Sequence, residues 1–252
     1  MARTKQPEGG FEIYCTSTDN GRLIPVSDPL HKRILQELSE TSLSTTDIAE
    51  RTGKAQSTLS VHLETMVSKS LIGFEYDKTD SRRKIFSLTS FRVVGTRAPD
   101  EEGKKDFRKF IDEAIYGDSF YKHLIISLIV LAETNGLDIS DSMKILGSKC
   151  AESLFRENGT LKIEDVIRIL QEFYEKNSMG EVCIYAFLPL TVIIRNTEEY
   201  VYKMDALAAF NHGMFETSIT KATGAAYTMT KSETFGTGNN YYKFILEPVK
   251  DH

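Results

Sequence analysis

Two short stretches of helical character flank Gly53 in TTDIAERTGKAQSTLSVHLETMVSKSLI, residues 45–72, and no other feature constrains the chain so tightly. Ser44 stands as an N-cap before Thr45, Thr46 and Asp47, with Ile48 on the face to be buried. Gly53 then supplies a left-handed C-cap. Beyond it, Leu59, Leu63, Met66 and Val67 fall at i, i+4, i+7 and i+8, which predicts a helix from Gln56 to Lys69. Upstream, Ser27-Asp28-Pro29 offers a cap with proline near the first helical position, and Leu30, Ile34, Leu35 and Leu38 carry a helix to about Glu40. Downstream, Ile72, Phe74 and Tyr76 alternate, the tip KTDSRR intervenes, and Ile85, Phe86 and Leu88 return as a β-hairpin.

Helix, helix, short turn, helix and hairpin over residues 28–95 is the layout of a winged helix-turn-helix. Residues 45–72 resemble the helix-turn-helix of the ArsR/MarR-type family, and the hairpin resembles its wing. The resemblance implies double-stranded DNA as a partner, bound by a homodimer. With its apolar stripe committed, the third helix turns Gln56, Ser57, Ser60, Val61 and Glu64 outward. Short polar side chains near a helix N-terminus let the backbone approach phosphates and base edges. The candidate DNA contacts are Lys54, Gln56, Ser57, Thr58, Ser60 and His62, with Arg82, Arg83 and Lys84 at the wing tip for phosphates or the minor groove. Taken piece by piece, the serines also read as a plain helix start and SRRK as a solvated turn. Val61 stands where many family members are basic, and Glu64 adds negative charge, so affinity should depend on the wing and on a second copy.

Charge is compatible with this when divided along the chain. Over the whole length, 31 basic residues face 36 acidic ones. Residues 28–95 hold ten basic and nine acidic residues, net +1, whereas residues 100–252 hold 17 and 24, net −7. The acidity lies away from the candidate DNA-binding segment. A hydrophobic content of 40% excludes general disorder, and the longest apolar run, LIISLIVLA (124–132), is too short to span a bilayer. MARTKQPEGG carries no apolar core, so a secretory signal is not expected. A soluble, cytoplasmic protein with no membrane partner is the expectation. Residues 1–27 read as a polar tail with one short strand at 11–15, which would hold a dimer or dock two domains. Residues 96–106, rich in Gly, Pro and charge, read as a linker.

From residue 107 onward the pattern changes to helices first and strands later, so the fold class is α+β overall. Helices are expected around Phe107–Ala114, over Phe120–Thr134, Ser140–Asn158 and Ile163–Asn177 (with Thr160 as a candidate cap), and over Asp205–Lys221. Residues 180–196 read as two strands meeting at Leu188-Pro189-Leu190, and Ala226–Glu233 and Tyr241–Leu246 as two more around the turn FGTGNN. That turn precedes a strand rather than a helix, so it fails the context for a phosphate loop. No carboxylate pair or nucleophilic triad stands out, and no enzymatic activity is expected. His212 reads equally as a buried hydrogen-bonded residue, a ligand contact or a base.

The end of this region, NHGMFETSITKATGAAYTMTKSETFGTGNNYYKFIL, resembles the 4-vinyl reductase domain in Gly213, Gly224 and the Gly236-x-Gly238 turn. Fused to a winged helix, such a domain also resembles the redox-responsive MsvR-type regulators of methanogenic archaea. The resemblance implies a sensor of a small molecule or a redox signal. Zinc-binding members carry ligands where this chain has Ala208, Lys231, Thr234 and Tyr242, with Glu233 nearby, so no metal and no cofactor are expected. A candidate apolar pocket would draw on Phe120, Leu124, Leu128, Tyr185, Phe187, Phe210, Met214 and Tyr227, residues that equally suit an ordinary core. Cys15, Cys150 and Cys183 are too widely spaced for a zinc ribbon or disulfide scaffold. They read as small buried residues, with a redox switch at Cys150 (beside Lys149) or Cys183 as the alternative. The function expected is a DNA-binding regulator whose second half senses a signal. The competing reading is a small-molecule-binding protein or enzyme whose winged helix serves protein contacts.

Overall fold

The structure, a computed structural model, describes residues 10–17, 21–101, 103–116, 120–156, 159, 161–195, 204–234 and 241–249. The chain divides into two compact units, Met1–Ala98 and Pro99–His252.

The first unit opens with β1 (Glu12–Thr16) and β2 (Leu23–Val26), then α1 (Pro29–Glu40) and the two-residue β3 (Leu43–Ser44). Next come α2 (Thr45–Thr52), α3 (Gln56–Ser68), β4 (Ile72–Tyr76), β5 (Lys84–Leu88) and β6 (Ser90–Thr96). Asp28 caps α1 by accepting from the N–H groups of Leu30 and His31, with Pro29 opening the helix where a missing N–H costs nothing. β3, β5 and β4 form the wing sheet, with Phe74 opposite Phe86 and Leu43 opposite Phe86 on the other side. β1, expected as a lone strand in a tail, lies between β2 and β6, antiparallel to both. Its Tyr14, with Val26 of β2, joins Ile34, Leu35, Ile48, Leu59, Leu63, Met66 and Phe86 in one core. Strands β2 and β6 were not foreseen: LIPV is too short to show alternation, and β6 follows β5 after a single residue.

The second unit contains α4 (Gly103–Tyr116), α5 (Phe120–Thr134), the short β7 (Leu137–Asp138), α6 (Ser140–Leu154) and α7 (Ile163–Lys176). It continues with β8 (Glu181–Phe187), β9 (Leu190–Arg195), α8 (Asp205–Thr223), β10 (Tyr227–Thr234) and β11 (Tyr241–Pro248). The α+β class is as expected, and the helices fall close to their expected spans. The cap expected at Thr160 and the turn at 235–240 lie outside the described residues; Lys162 occupies the N-cap position of α7 without a side-chain bond. The four long strands form an antiparallel sheet in the order β10-β11-β9-β8. Leu190, Val192 and Ile194 of β9 and Tyr242, Phe244 and Leu246 of β11 point to one face, following the period of two. Val166, Leu170 and Tyr174 of α7 and Met214, Phe215 and Ile219 of α8 cover that face.

α6 and α8 cross at glycines. A Cβ on Gly147 would stand 2.9 Å from the Met214 nitrogen, and one on Gly213 would stand 3.0 Å from the Ser148 nitrogen. The carbonyl oxygens of Phe210 and Lys144, respectively, lie closer still. Only glycine permits backbones to approach this far, which gives Gly213 a packing role.

Candidate nucleic-acid interface

The turn between α2 and α3 is built by local chemistry at both ends. Ser44 Oγ accepts from the Asp47 N–H at 3.3 Å, and Asp47 Oδ2 accepts from the Ser44 N–H at 2.9 Å, a reciprocal capping box. At the far end Gly53 adopts φ 69° and donates its N–H to the Ala49 carbonyl at 2.8 Å, closing α2. The left-handed residue redirects the chain, and after Lys54 and Ala55 α3 begins. Leu59, Leu63 and Met66 bury its inner face, so its outer face is set by elimination.

Six of the predicted contacts are exposed: Lys54 just before α3, Gln56, Ser57, Thr58 and Ser60 on it, and Arg82 at the wing tip. Gln56 Nε2 donates to Thr46 Oγ1 at 3.2 Å, which holds the amide over the start of α2. Ser60 Oγ donates to the Gln56 carbonyl at 3.0 Å, a bond it can exchange for one to a ligand. Val61 is 66% exposed among these polar groups, an apolar surface suited to a thymine methyl.

Three predicted contacts are placed differently. His62 is half-buried and turned toward α1, its Nδ1 2.9 Å from His31 Nε2 and 3.8 Å from Asp28 Oδ2. Arg83 is exposed, but its guanidinium is engaged with Ser44 Oγ at 3.1 Å and Asp47 Oδ2 at 3.2 Å, pinning the wing to the start of α2. Lys84 is half-buried, with Nζ 4.2 Å above the Phe74 ring. That leaves Arg82 as the wing-tip arginine with no ion-pair partner among the described residues. Hydrogen bonds from Ser44, assisted by Arg83, hold the Asp47 carboxyl below its usual range.

The contact of α1 with α3 also assembles a grouping that the helix-turn-helix pattern does not signal. Asp28, His31 and His62 bring three potential ligand atoms within 4.8 Å of one another. Burial lowers the basicity of the His31 imidazole despite the nearby Asp28 carboxylate. Burial raises the Asp28 carboxyl, but the two backbone N–H groups it caps outweigh that and bring it down. Asp28 and His31 stand three apart at the opening of α1, a spacing that places them on one face.

In the second unit the eight candidate pocket residues do not converge. Phe120, Leu124 and Leu128 lie exposed on α5, whose buried side is Ile126, Ile129, Val130 and Glu133. Tyr185 is the extra residue of a β-bulge, where the register shifts between Ile184 and Ala186, and is 76% exposed. Phe187 is exposed at the end of β8. Phe210 and Met214 are buried in α8, and Tyr227 packs half-buried against the same core. His212 is hydrogen-bonded, its Nε2 2.8 Å from Glu216 Oε2. Glu216 also accepts from the Met229 N–H at 2.9 Å and pairs with Lys144 at 3.3 Å. Burial pushes its carboxyl up, but these partners outweigh it and bring the pKa to about 2. Cys150 and Cys183 are half-buried and free, and burial raises the Cys183 thiol, reinforced by Glu181. Of the positions aligned with zinc ligands in the 4-vinyl reductase resemblance, Ala208 and Tyr242 are core residues.

Known proteins resemble the first unit over this same segment. Residues 28–72 match the family model described as bacterial regulatory protein, arsR family. The matched arsR-type segment runs from the Asp28 cap of α1 through α3 to the first residue of β4. It therefore contains the capping box, the Gly53 turn and the whole outer face of α3. An arsR-type helix-turn-helix points to a DNA-binding transcription regulator. Among solved structures, the chain is similar to a vinyl-4-reductase family protein from Methanocaldococcus jannaschii, at 12% identity and TM-score 0.34, over 58% of this chain and 94% of that one. No curated protein matches the chain. Among the described residues, no helix is long and apolar enough to cross a membrane.

Proposed function

We propose that the chain is a cytoplasmic transcription regulator that binds a two-half-site operator as a homodimer and acts by binding rather than by catalysis. The observation that carries this is the outer face of α3. Gln56, Ser57, Thr58 and Ser60 stand exposed at its N-terminal end, inside the segment that matches the arsR family. Arg82 at the wing tip supplies a free cation for the phosphate backbone. One α3 with Val61 and Glu64 on its face holds few charge contacts, so two copies on two half-sites are needed for useful affinity.

The surface that supports a second copy as partner is α5. Tyr121, Leu124, Ile125, Leu128 and Leu131 are all exposed and recur at helical spacing, giving an apolar stripe about three turns long. A stripe of this kind meets its own copy as a self-complementary, two-fold contact. The second unit would then pass a signal by favouring one spacing of the two α3 helices over another. The signal class is a small molecule or, through the half-buried Cys150, a redox change. A thiol switch needs an accessible, stabilised thiolate, and Cys183 is shifted the other way.

The test is fluorescence anisotropy with the protein's own upstream DNA, at several salt concentrations. Binding that weakens in Gln56→Ala and Arg82→Ala supports the reading. Affinity that is absent, or indifferent to both substitutions, sinks it in favour of a protein-contact role for the winged helix.

A further inference from the structure

α1 and α3 meet at a group of side chains that the DNA-reading face leaves unused. Asp28 Oδ1 accepts from the Leu30 N–H at 2.8 Å and the His31 N–H at 3.3 Å, which is its capping role. Its second oxygen, Oδ2, faces His62 Nδ1 at 3.8 Å. On the other side of His62 Nδ1, His31 Nε2 lies at 2.9 Å. Two imidazole nitrogens this close cannot both present bare lone pairs to each other. Either a proton lies between them or a cation does.

The chemistry of the donors selects the cation. Two imidazole nitrogens and one carboxylate oxygen suit zinc and its first-row neighbours, whereas magnesium and calcium take oxygen-rich sets. Around an ion with bonds of roughly 2.0–2.1 Å, tetrahedral ligand atoms stand about 3.3 Å apart. The observed 2.9 Å and 3.8 Å straddle that value, so small side-chain rotations reach it. His31 is buried and His62 and Asp28 are half-exposed, which gives one shielded ligand and an open side for a water. The positive charge of Lys69 also acts on His31, which moderates the affinity without supplying a competing ligand.

We propose that Asp28 Oδ2, His31 Nε2 and His62 Nδ1 form a site for a divalent first-row transition-metal ion of the zinc class. Water completes its coordination. The ion replaces the proton shared by the two imidazoles and ties the N-terminal cap of α1 to the middle of α3. Because His62 follows Val61, fixing its ring fixes the rotation of α3 about its axis, and with it the exposed face.

Full-length protein titrated with Co²⁺ tests the site through visible d–d absorption, with Zn²⁺ as the displacing ion. One Co²⁺ per chain is expected, with no thiolate-to-cobalt charge transfer, which separates this site from Cys15, Cys150 and Cys183. His62→Gln and Asp28→Asn should each weaken binding at least about tenfold. Asn retains the capping oxygen, so this variant keeps its fold by circular dichroism while losing the anionic ligand. No cobalt spectrum, or one unchanged in both variants, overturns the site.

Discussion

Replacing Gly147 by alanine should destabilise the second unit, although helix propensity alone argues the opposite. In an exposed helix interior, Gly→Ala stabilises by about 1 kcal/mol. At Gly147 the added Cβ would stand 2.9 Å from the Met214 nitrogen and 3.0 Å from the Phe210 carbonyl carbon, with the Phe210 oxygen closer still. All three are backbone atoms of α8, so no side chain can rotate out of the way. Restoring ordinary contact at about 3.5 Å requires α6 and α8 to part by on the order of 1 Å. That separation loosens Met214 and Phe215, both fully buried. Overpacking of this kind costs roughly 1–3 kcal/mol, and contact with rigid backbone belongs at the upper end. Set against the propensity gain, the net loss is about 2 kcal/mol, or a fall in Tm of roughly 4–8 °C for a unit of this size. Urea unfolding followed by circular dichroism reads this directly. Gly213→Ala attacks the same crossing from the other helix, where Lys144 and Ser148 backbone atoms stand in the way. The double variant should cost less than the sum of the singles, because the first substitution already opens the gap. Unchanged or raised stability in Gly147→Ala would refute the close crossing on which the α6–α8 packing rests.

Three other outcomes follow from particular contacts. Arg82→Ala should weaken DNA binding and reduce the slope of log K against log salt by about 0.9, one phosphate contact's worth, whereas Arg83→Ala should lower wing stability before it alters that slope. Equal slopes in both variants would show that Arg83 also reaches the phosphates. Glu216 has its carboxyl depressed to about 2 in the folded chain. Its contribution, up to about 3 kcal/mol, is therefore present above about pH 4.5 and lost as the pH falls toward 2. Denaturant midpoints of Glu216→Gln against wild type across that window should converge at the acid end, and a constant gap would refute the depressed pKa. Leu128→Asp on the exposed side of α5 should shift the chain to monomer in analytical ultracentrifugation and weaken operator binding, with circular dichroism unchanged; an unshifted sedimentation coefficient would remove α5 as the dimer face.

The elements closed by specific local chemistry were the ones legible in the sequence. Ser44, Asp47 and Gly53 each have one strongly favoured role at a helix end, so the turn before α3 could be placed to the residue. α5 shows where this kind of reading stops. LIISLIVLA is apolar on nearly every side, so periodicity identifies the helix without selecting the face that Ile126, Ile129 and Val130 bury. On that ambiguity Phe120, Leu124 and Leu128 suit a pocket, and they lie outside. Tyr185 fails for a different reason, because a single bulged residue breaks the alternation on which the assignment depends and nothing in CIYAF signals it.

His62 is placed by its spacing alone. Leu59, His62, Leu63 and Met66 stand at i, i+3, i+4 and i+7, so the histidine shares the core-facing side of α3 and not the outer one. An ionisable ring at the edge of an apolar stripe requires a partner on the helix it packs against. On α1, Asp28 and His31 share one face at the end that meets α3, and the structure joins all three. Chemistry at the outer face of α3 is what a helix-turn-helix requires of any sequence. Three metal-capable side chains gathered where its inner edge meets α1 are required by neither folding nor DNA contact, since a leucine at 62 would continue the stripe and Asp28 would cap α1 unaided. It is that surplus which makes the α1–α3 junction the place to look for control of the α3 face.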